Sequence, residues 1–297
     1  MEQSPLVEIG LPIALFIIMV GIGLTLTVAD FRREARTPRA LVIGSIAQLL
    51  LMPALAFAIA AALQLSAPLT LGLVILAAAP GGTTSNVVSL MARANVALSI
   101  VLTVVASVVT IVTLPLAANL ALAWRAEDAD VVVRVPLANS IGLLVVIVLV
   151  PVLLGMLIRS RRPEAAVRFE PKVSAFGAVV LVALIVGIAI DIREELPTLI
   201  AQSGPAALLL NLGGLGMGFA TGLLGLSPKD RRTCAAEMGI KNGTLAILIA
   251  VTVVGSEVVA APAAMYSVLM YLTAFGLVAY GRNRALMEVE GDEAPAT

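Results

Sequence analysis

Long apolar runs decide what this chain can fold into. Nine stretches, roughly 7–29, 39–63, 68–92, 95–123, 132–158, 172–191, 203–226, 230–253 and 257–281, are each mainly apolar. Each is about as long as a helix must be to cross the hydrocarbon core of a bilayer. Together they occupy nearly all of the 297 residues and leave no room for a separate soluble domain. Composition agrees. The chain is 60% hydrophobic and 13% charged, with a mean hydropathy of +1.06, against roughly 45–50% apolar and about 25% charged in soluble domains. The expected fold class is an all-α polytopic membrane protein with nine transmembrane helices. Only Glu2 and Glu8 carry charge ahead of the first run, so it reads as a retained span rather than a signal peptide, which begins with a basic region.

The same composition excludes several functions. Nineteen basic and nineteen acidic residues cancel, and no basic block stands out, so nucleic acid is not an expected partner. Histidine is absent, which removes the usual acid–base catalyst and most metal centres. The single cysteine, Cys234, has no general-base partner in the sequence, so an enzyme is not expected. No filter repeat or ring of charge points to a channel, and nothing indicates an obligatory protein partner.

The loops sort by charge. Fifteen of the basic residues fall in alternate loops, at 32–39, 93, 159–172, 229–232 and 282–284. The other loops hold only Arg125, Arg134 and Arg193, among Glu127, Asp128, Asp130, Asp191, Glu194, Glu195 and Glu257. The positive-inside rule then puts the N-terminus outside and the C-terminus in the cytoplasm.

Two charges remain, Glu237 and Lys241, in the middle of the eighth run. An ionisable residue at the bilayer centre costs roughly 2.5–3.5 kcal/mol on insertion scales and normally faces a partner or a water-filled cavity. Gly239 and Gly243 flank Ile240, Lys241 and Asn242 and weaken the helix there. A second interruption, Pro80-Gly81-Gly82-Thr83-Thr84-Ser85-Asn86, splits the third run. A break at membrane depth is tolerated only where the backbone is buried in protein or lines a cavity. The two broken spans run in opposite directions in the two halves, which points to an inverted repeat with a midplane site. Half-helix N-termini would suit an anion, and carbonyls, hydroxyls and a carboxylate would suit a hard cation.

Several segments, in order, closely resemble the bile acid:sodium symporter family. They are Gly21-Ile22-Gly23-Leu24-Thr25-Leu26, Ile46-Ala47-Gln48, the 80–86 heptad, Ala92-Arg93-Ala94-Asn95-Val96-Ala97-Leu98-Ser99 and the 237–244 break. The resemblance covers about 10–280. It implies a core domain containing two crossed, broken helices, built from 39–63, 68–92, 95–123, 203–226, 230–253 and 257–281. It implies a panel domain built from 7–29, 132–158 and 172–191, in a single transporter unit over 1–297. Alternating access of a small organic anion, coupled to sodium, is then the expected function. The bacterial inner (plasma) membrane is the expected location.

Carried over by position, the first sodium site would be Ser85, Asn86, Ser99, Thr103 and Glu237. Ser99 and Thr103 are four apart and share one helix face. The family's second sodium site uses Gln48, carbonyls after the glutamate, and a glutamine four residues beyond it. Lys241 stands in that last place. A protonated lysine has three donors and no acceptor, so it cannot ligate sodium. Three readings of Lys241 follow: a tethered cation replacing the second sodium beside Glu237 and Gln48, a contact to the substrate carboxylate, or a proton carrier in a sodium-independent or exchange cycle. Gly82, Thr83, Asn242, Thr244 and Tyr271 are the expected substrate contacts. The substrate expected from the family's range is pantoate-like or keto-acid-like rather than a bile acid.

Overall fold

The computed structural model describes residues 10–25, 38–125, 137–191 and 196–292, with single positions at 27, 29, 32, 34, 36, 193 and 194. Glu2, Glu8, Arg33, Glu127, Asp128, Asp130, Arg134 and Glu195, which carry part of the loop-charge argument, lie outside the described residues. Among the described residues every regular element is a helix. They run α1 (Leu11–Leu24), α2 (Pro38–Ala62), α3 (Ala67–Ala78), α4 (Thr83–Met91), α5 (Val96–Trp124), α6 (Leu137–Arg161), α7 (Pro163–Asp191), α8 (Leu196–Ala220), α9 (Pro228–Gly239), α10 (Gly243–Val253) and α11 (Glu257–Asp292).

Six of these helices are long and apolar enough to cross a membrane unaided, over Pro38–Ala62, Val96–Trp124, Leu137–Arg161, Pro163–Gly187, Pro197–Leu224 and Glu257–Arg284. The third and eighth apolar runs are each two helices end to end, α3 with α4 and α9 with α10. At 1.5 Å per residue, α3 is about 18 Å long, well short of the roughly 30 Å hydrocarbon core. The first run is described as helix over Leu11–Leu24.

Helix ends depart from the apolar runs where charge and helix propensity disagree. α7 begins at Pro163 rather than near 172, because proline at the first helical position gives up an N–H that would be unpaired anyway. Glu164 then sits in the first turn, and the charged 164–172 segment stays helical. In α2 and α6 the helix widens into π-turns at Ala47–Leu51 and Val145–Leu149, just before Pro53 and Pro151. A proline ring clashes with the carbonyl four residues back, and the wider turn relieves that clash.

Two packing groups are visible. α1 packs on α6 and α7. At the α1–α6 contact Gly23 and Gly155 meet: a Cβ on Gly23 would stand 2.8 Å from the Gly155 Cα and strike the Val152 carbonyl. Small residues of this kind let membrane helices approach closely. The other group centres on α8 against α9 and α11, and on α3 against α5 and α11. The groups touch where α1 and α7 meet α10 and where α6 meets α5. Large apolar side chains such as Leu120, Val179, Leu272 and Phe275 face outward at 60% exposure or more, which suits lipid and would be a liability in water.

Candidate functional site

The site begins with the chemistry of the two breaks. Pro80 forces Ala79 out of the helix into an extended conformation at φ −63°, ψ 149°. Ile240 is extended after Gly239, at φ −118°, ψ 91°. The two extended pieces meet. Gly81 and Lys241 form an isolated antiparallel bridge, and the Asn242 N–H donates to the Pro80 carbonyl at 2.9 Å. Each break thus supplies hydrogen bonds that the other has lost by leaving the helix.

The carbonyls at the ends of the half-helices are also taken up. The Lys241 Nζ donates to the Ala79 carbonyl at 2.9 Å. The Gly239 carbonyl accepts from Asn211 Nδ2 at 2.7 Å and from the Tyr266 hydroxyl at 2.9 Å, and the same hydroxyl reaches the Met238 carbonyl at 3.3 Å. Asn242 Oδ1 caps α10 by accepting from the Leu245 N–H at 3.0 Å.

Beside the crossing lies a fully buried polar cluster. Ser85 Oγ and Ser99 Oγ are each 2.6 Å from Glu237 Oε1, and Thr103 Oγ1 is 2.9 Å from Oε2. Ser99 and Thr103 also approach Asn86 Oδ1, at 2.9 and 3.4 Å, and Ser85 approaches the Gly82 carbonyl at 2.7 Å. Three hydroxyls, a carboxamide, a carboxylate and a backbone carbonyl thus converge through six contacts. A buried nest of hydroxyl, amide and carboxylate oxygens is the kind of ligand set a hard cation prefers. Gly81 lets the strand pass close to this nest, since a Cβ there would strike Glu237 Oε2. Asn86 Nδ2 has no hydrogen-bond partner among the described residues.

A small cavity of about 30 Å³ adjoins the crossing. Gly82, Thr83, Lys241, Asn242, Thr244 and Tyr271 line it on one side, and Ile18, Gly177 and Leu181 of α1 and α7 on the other. That is space for a water or two and not for an organic acid. A wider cavity of about 780 Å³ opens at the loop end, bordered by Asn95, Arg159, Lys229 and Asp230.

The structure therefore gathers Ser85, Asn86, Ser99, Thr103 and Glu237 into one cluster, and Gly82, Thr83, Asn242, Thr244 and Tyr271 around one cavity. Gln48 sits on the α2 π-turn, 2% exposed, with neither amide atom hydrogen-bonded. The Lys241 ammonium bonds to Ala79 rather than to Glu237 or Gln48. Sequence reasoning passed over three residues. Ser89 adds a further hydroxyl, 3.1 Å from Ser99, and Asn211 and Tyr266 hold the second break. Asn211 did leave a signal, as the one asparagine in the apolar 203–226 run.

A family model described as the Sodium Bile acid symporter family matches residues 12–196, which stops short of Glu237 and Lys241. Curated relatives extend the likeness along the chain. A protein of Oryza sativa subsp. japonica described as a probable chloroplastic sodium/metabolite cotransporter is 32% identical over 95% of this chain and 66% of its own length. An uncharacterized sodium-dependent transporter of Bacillus subtilis (strain 168) is 31% identical over 95% of this chain and 86% of its own. The human sodium/bile acid cotransporter 4 is 31% identical over 80% of this chain and 54% of its own. The matched family and these relatives are transporters, and the protein is a multi-pass membrane transporter rather than an enzyme. The chain belongs to the sodium bile acid symporter family.

Proposed function

We propose that this protein is a secondary active transporter that couples sodium to the movement of a small organic anion by alternating access. The observation that carries the reading is the buried nest around Glu237, where the hydroxyls of Ser85, Ser99 and Thr103 meet one carboxylate beside Asn86. Sodium entering there would be met by Ser85, Asn86, Ser99, Thr103 and Glu237. The hydroxyls would turn lone pairs to the ion and keep their protons on Glu237, Asn86 or Gly82.

A second sodium is not expected. Lys241 takes the sequence position of the family's second-site glutamine, and its ammonium lies at the C-terminal end of α3, on the Ala79 carbonyl. A cation at a helix C-terminus is favourable. The Gly239 carbonyl already accepts two donors, which fills both of its lone pairs.

The substrate belongs in the cavity at Gly82, Thr83, Asn242, Thr244 and Tyr271. The start of α4 has no side-chain cap, and while the Ser85 N–H turns back to the Gly82 carbonyl, those of Thr83 and Thr84 are left for an anion. A cavity of 30 Å³ has to widen for any acid to enter. Parting α1, α6 and α7, as a panel, from the remaining helices, as a core with an inverted repeat, would widen it, because α1 and α7 form its far wall. The relatives' names, a metabolite cotransporter and a sodium-dependent transporter, support a sodium-coupled small molecule, and pantoate or a keto acid is the class proposed. The proposed setting is a bacterial inner membrane, crossed nine times, with the N-terminus outside and the C-terminus cytoplasmic.

Uptake of labelled pantoate and pyruvate into proteoliposomes tests this. It should be compared with sodium, with potassium replacing sodium, and with a proton gradient alone. Saturable uptake that needs sodium is expected. Uptake driven equally well by a proton gradient in potassium would replace the reading with a proton-coupled carrier.

A further inference from the structure

We propose that Lys241 is the counter-charge for the transported anion and that it makes the transport cycle electroneutral, one sodium with one monocarboxylate per turn. This rests on the sodium-coupled reading above and adds the charge balance of the cycle.

The position of the ammonium carries the argument. Lys241 is 1% exposed and lines the small cavity together with Thr83, Asn242 and Thr244. Its Nζ makes one hydrogen bond among the described residues, to the Ala79 carbonyl. An ammonium has three donors, so two remain for whatever enters the cavity. Asn242, a residue 94% buried on the same cavity wall, leaves its Nδ2 without a partner among the described residues. Both groups donate, and the uncapped Thr83 and Thr84 N–H groups at the α4 start donate too. A carboxylate, with two oxygens and about four lone-pair positions, matches donors that converge in this way.

The charge count then constrains the cycle. Among the described residues four charged side chains are buried: Glu34, Arg232, Glu237 and Lys241. Arg232 donates to the Arg93 carbonyl at the turn between α4 and α5, and Glu34 lies in the segment between α1 and α2, so neither belongs to the site. The empty site holds Glu237 and Lys241 and is neutral. Loaded with one sodium and one monoanion it is neutral again. With either partner alone it carries a full charge, which is costly to seal inside a membrane protein. Only the empty and fully loaded forms therefore reorient readily. Coupling follows from this balance, and no net charge moves.

The test uses the wild-type protein in proteoliposomes, with [¹⁴C]pantoate and [¹⁴C]pyruvate as probes and ²²Na⁺ counted in parallel. Potential is set at zero or inside-negative with valinomycin and potassium. Initial rates are expected to differ by less than about twofold between the two potentials, since an uncharged step does not feel the field. Sodium and acid should enter one for one, and ²²Na⁺ should stay at background without acid. Sodium-dependent uptake that rises severalfold with inside-negative potential, or two sodium ions per acid, overturns the inference and leaves the transporter reading standing. No sodium-stimulated uptake of either acid overturns that reading and this inference with it. Lys241→Gln is expected to make uptake potential-sensitive, with a sigmoidal sodium dependence. Uptake by this variant that matches wild type in both respects refutes the role of Lys241. If the variant is inactive or misfolded, the wild-type ratio and potential response decide alone.

Discussion

Glu237 and Lys241 sit four residues apart and are compensated in different ways. The carboxylate is met by hydroxyls of α4 and α5, and the ammonium by a single backbone carbonyl at the end of α3. Hydroxyl donors favour the ionised form of a carboxylate, and a sodium ion would balance its charge. Thr103→Ala removes one hydroxyl and with it a hydrogen bond to a charged group, a loss of roughly 1.5–3 kcal/mol. If sodium binds there, the sodium concentration for half-maximal uptake should rise about tenfold or more, with little change in apparent affinity for the acid. Glu237→Gln should abolish sodium stimulation while the protein still inserts and elutes as a single species. A Thr103→Ala variant with unchanged sodium dependence would remove that hydroxyl from the ion site.

At the scale of elements, the breaks depend on close approach and on borrowed hydrogen bonds. Gly81→Ala would drive a methyl group into Glu237 Oε2. The expected result is loss of sodium-stimulated uptake, with less effect on thermal stability than on transport. Normal uptake by Gly81→Ala would show that the nest rearranges more freely than its packing implies. Asn211 and Tyr266 act on the other break by holding the Met238 and Gly239 carbonyls. Tyr266→Phe leaves buried carbonyl capacity unmet, at about 1–3 kcal/mol. The detergent melting temperature should fall by several degrees, and Asn211→Leu should do the same. Because both residues bond to the Gly239 carbonyl, each single variant leaves it one donor and the double variant leaves it none, so the double should lose more than the sum of the singles. Additive losses would mean that the two donors act independently.

Across the whole molecule, two groups of helices enclose a cavity too small for any organic acid, so motion between them is the simplest route in and out. Charge distribution in the loops bears on how the chain sits in the bilayer. Ser66 and Lys229 are exposed at opposite ends of the helices by the loop-charge argument. In a Cys234→Ser background, Ser66→Cys should react with an impermeant maleimide on intact cells. Lys229→Cys should react only after the membrane is opened. Labelling in the reverse order would invert the proposed orientation.

Much of this was legible in the linear chain because lipid imposes simple rules. Apolar length marks where helices cross, as with α2, α5 and α6, and the cost of charge and broken backbone at depth singles out 80–86 and 237–244. Helix spacing alone could pair Ser99 with Thr103. It could not show that Pro163 extends α7 through a charged segment, since propensity and capping fix helix ends where hydrophobicity falls silent. Nor could it choose Tyr266 over Tyr271 for the second break, because both lie in the same apolar run five residues apart. The sequence by itself determined a helical membrane protein with two interruptions and two charges at depth. Only the tertiary structure decided that the interruptions hydrogen-bond to each other, that three hydroxyls converge on Glu237, and that Lys241 reaches Ala79 rather than Glu237. Those outcomes depend on distances between segments some 150 residues apart, and such distances are set by packing that no local pattern encodes.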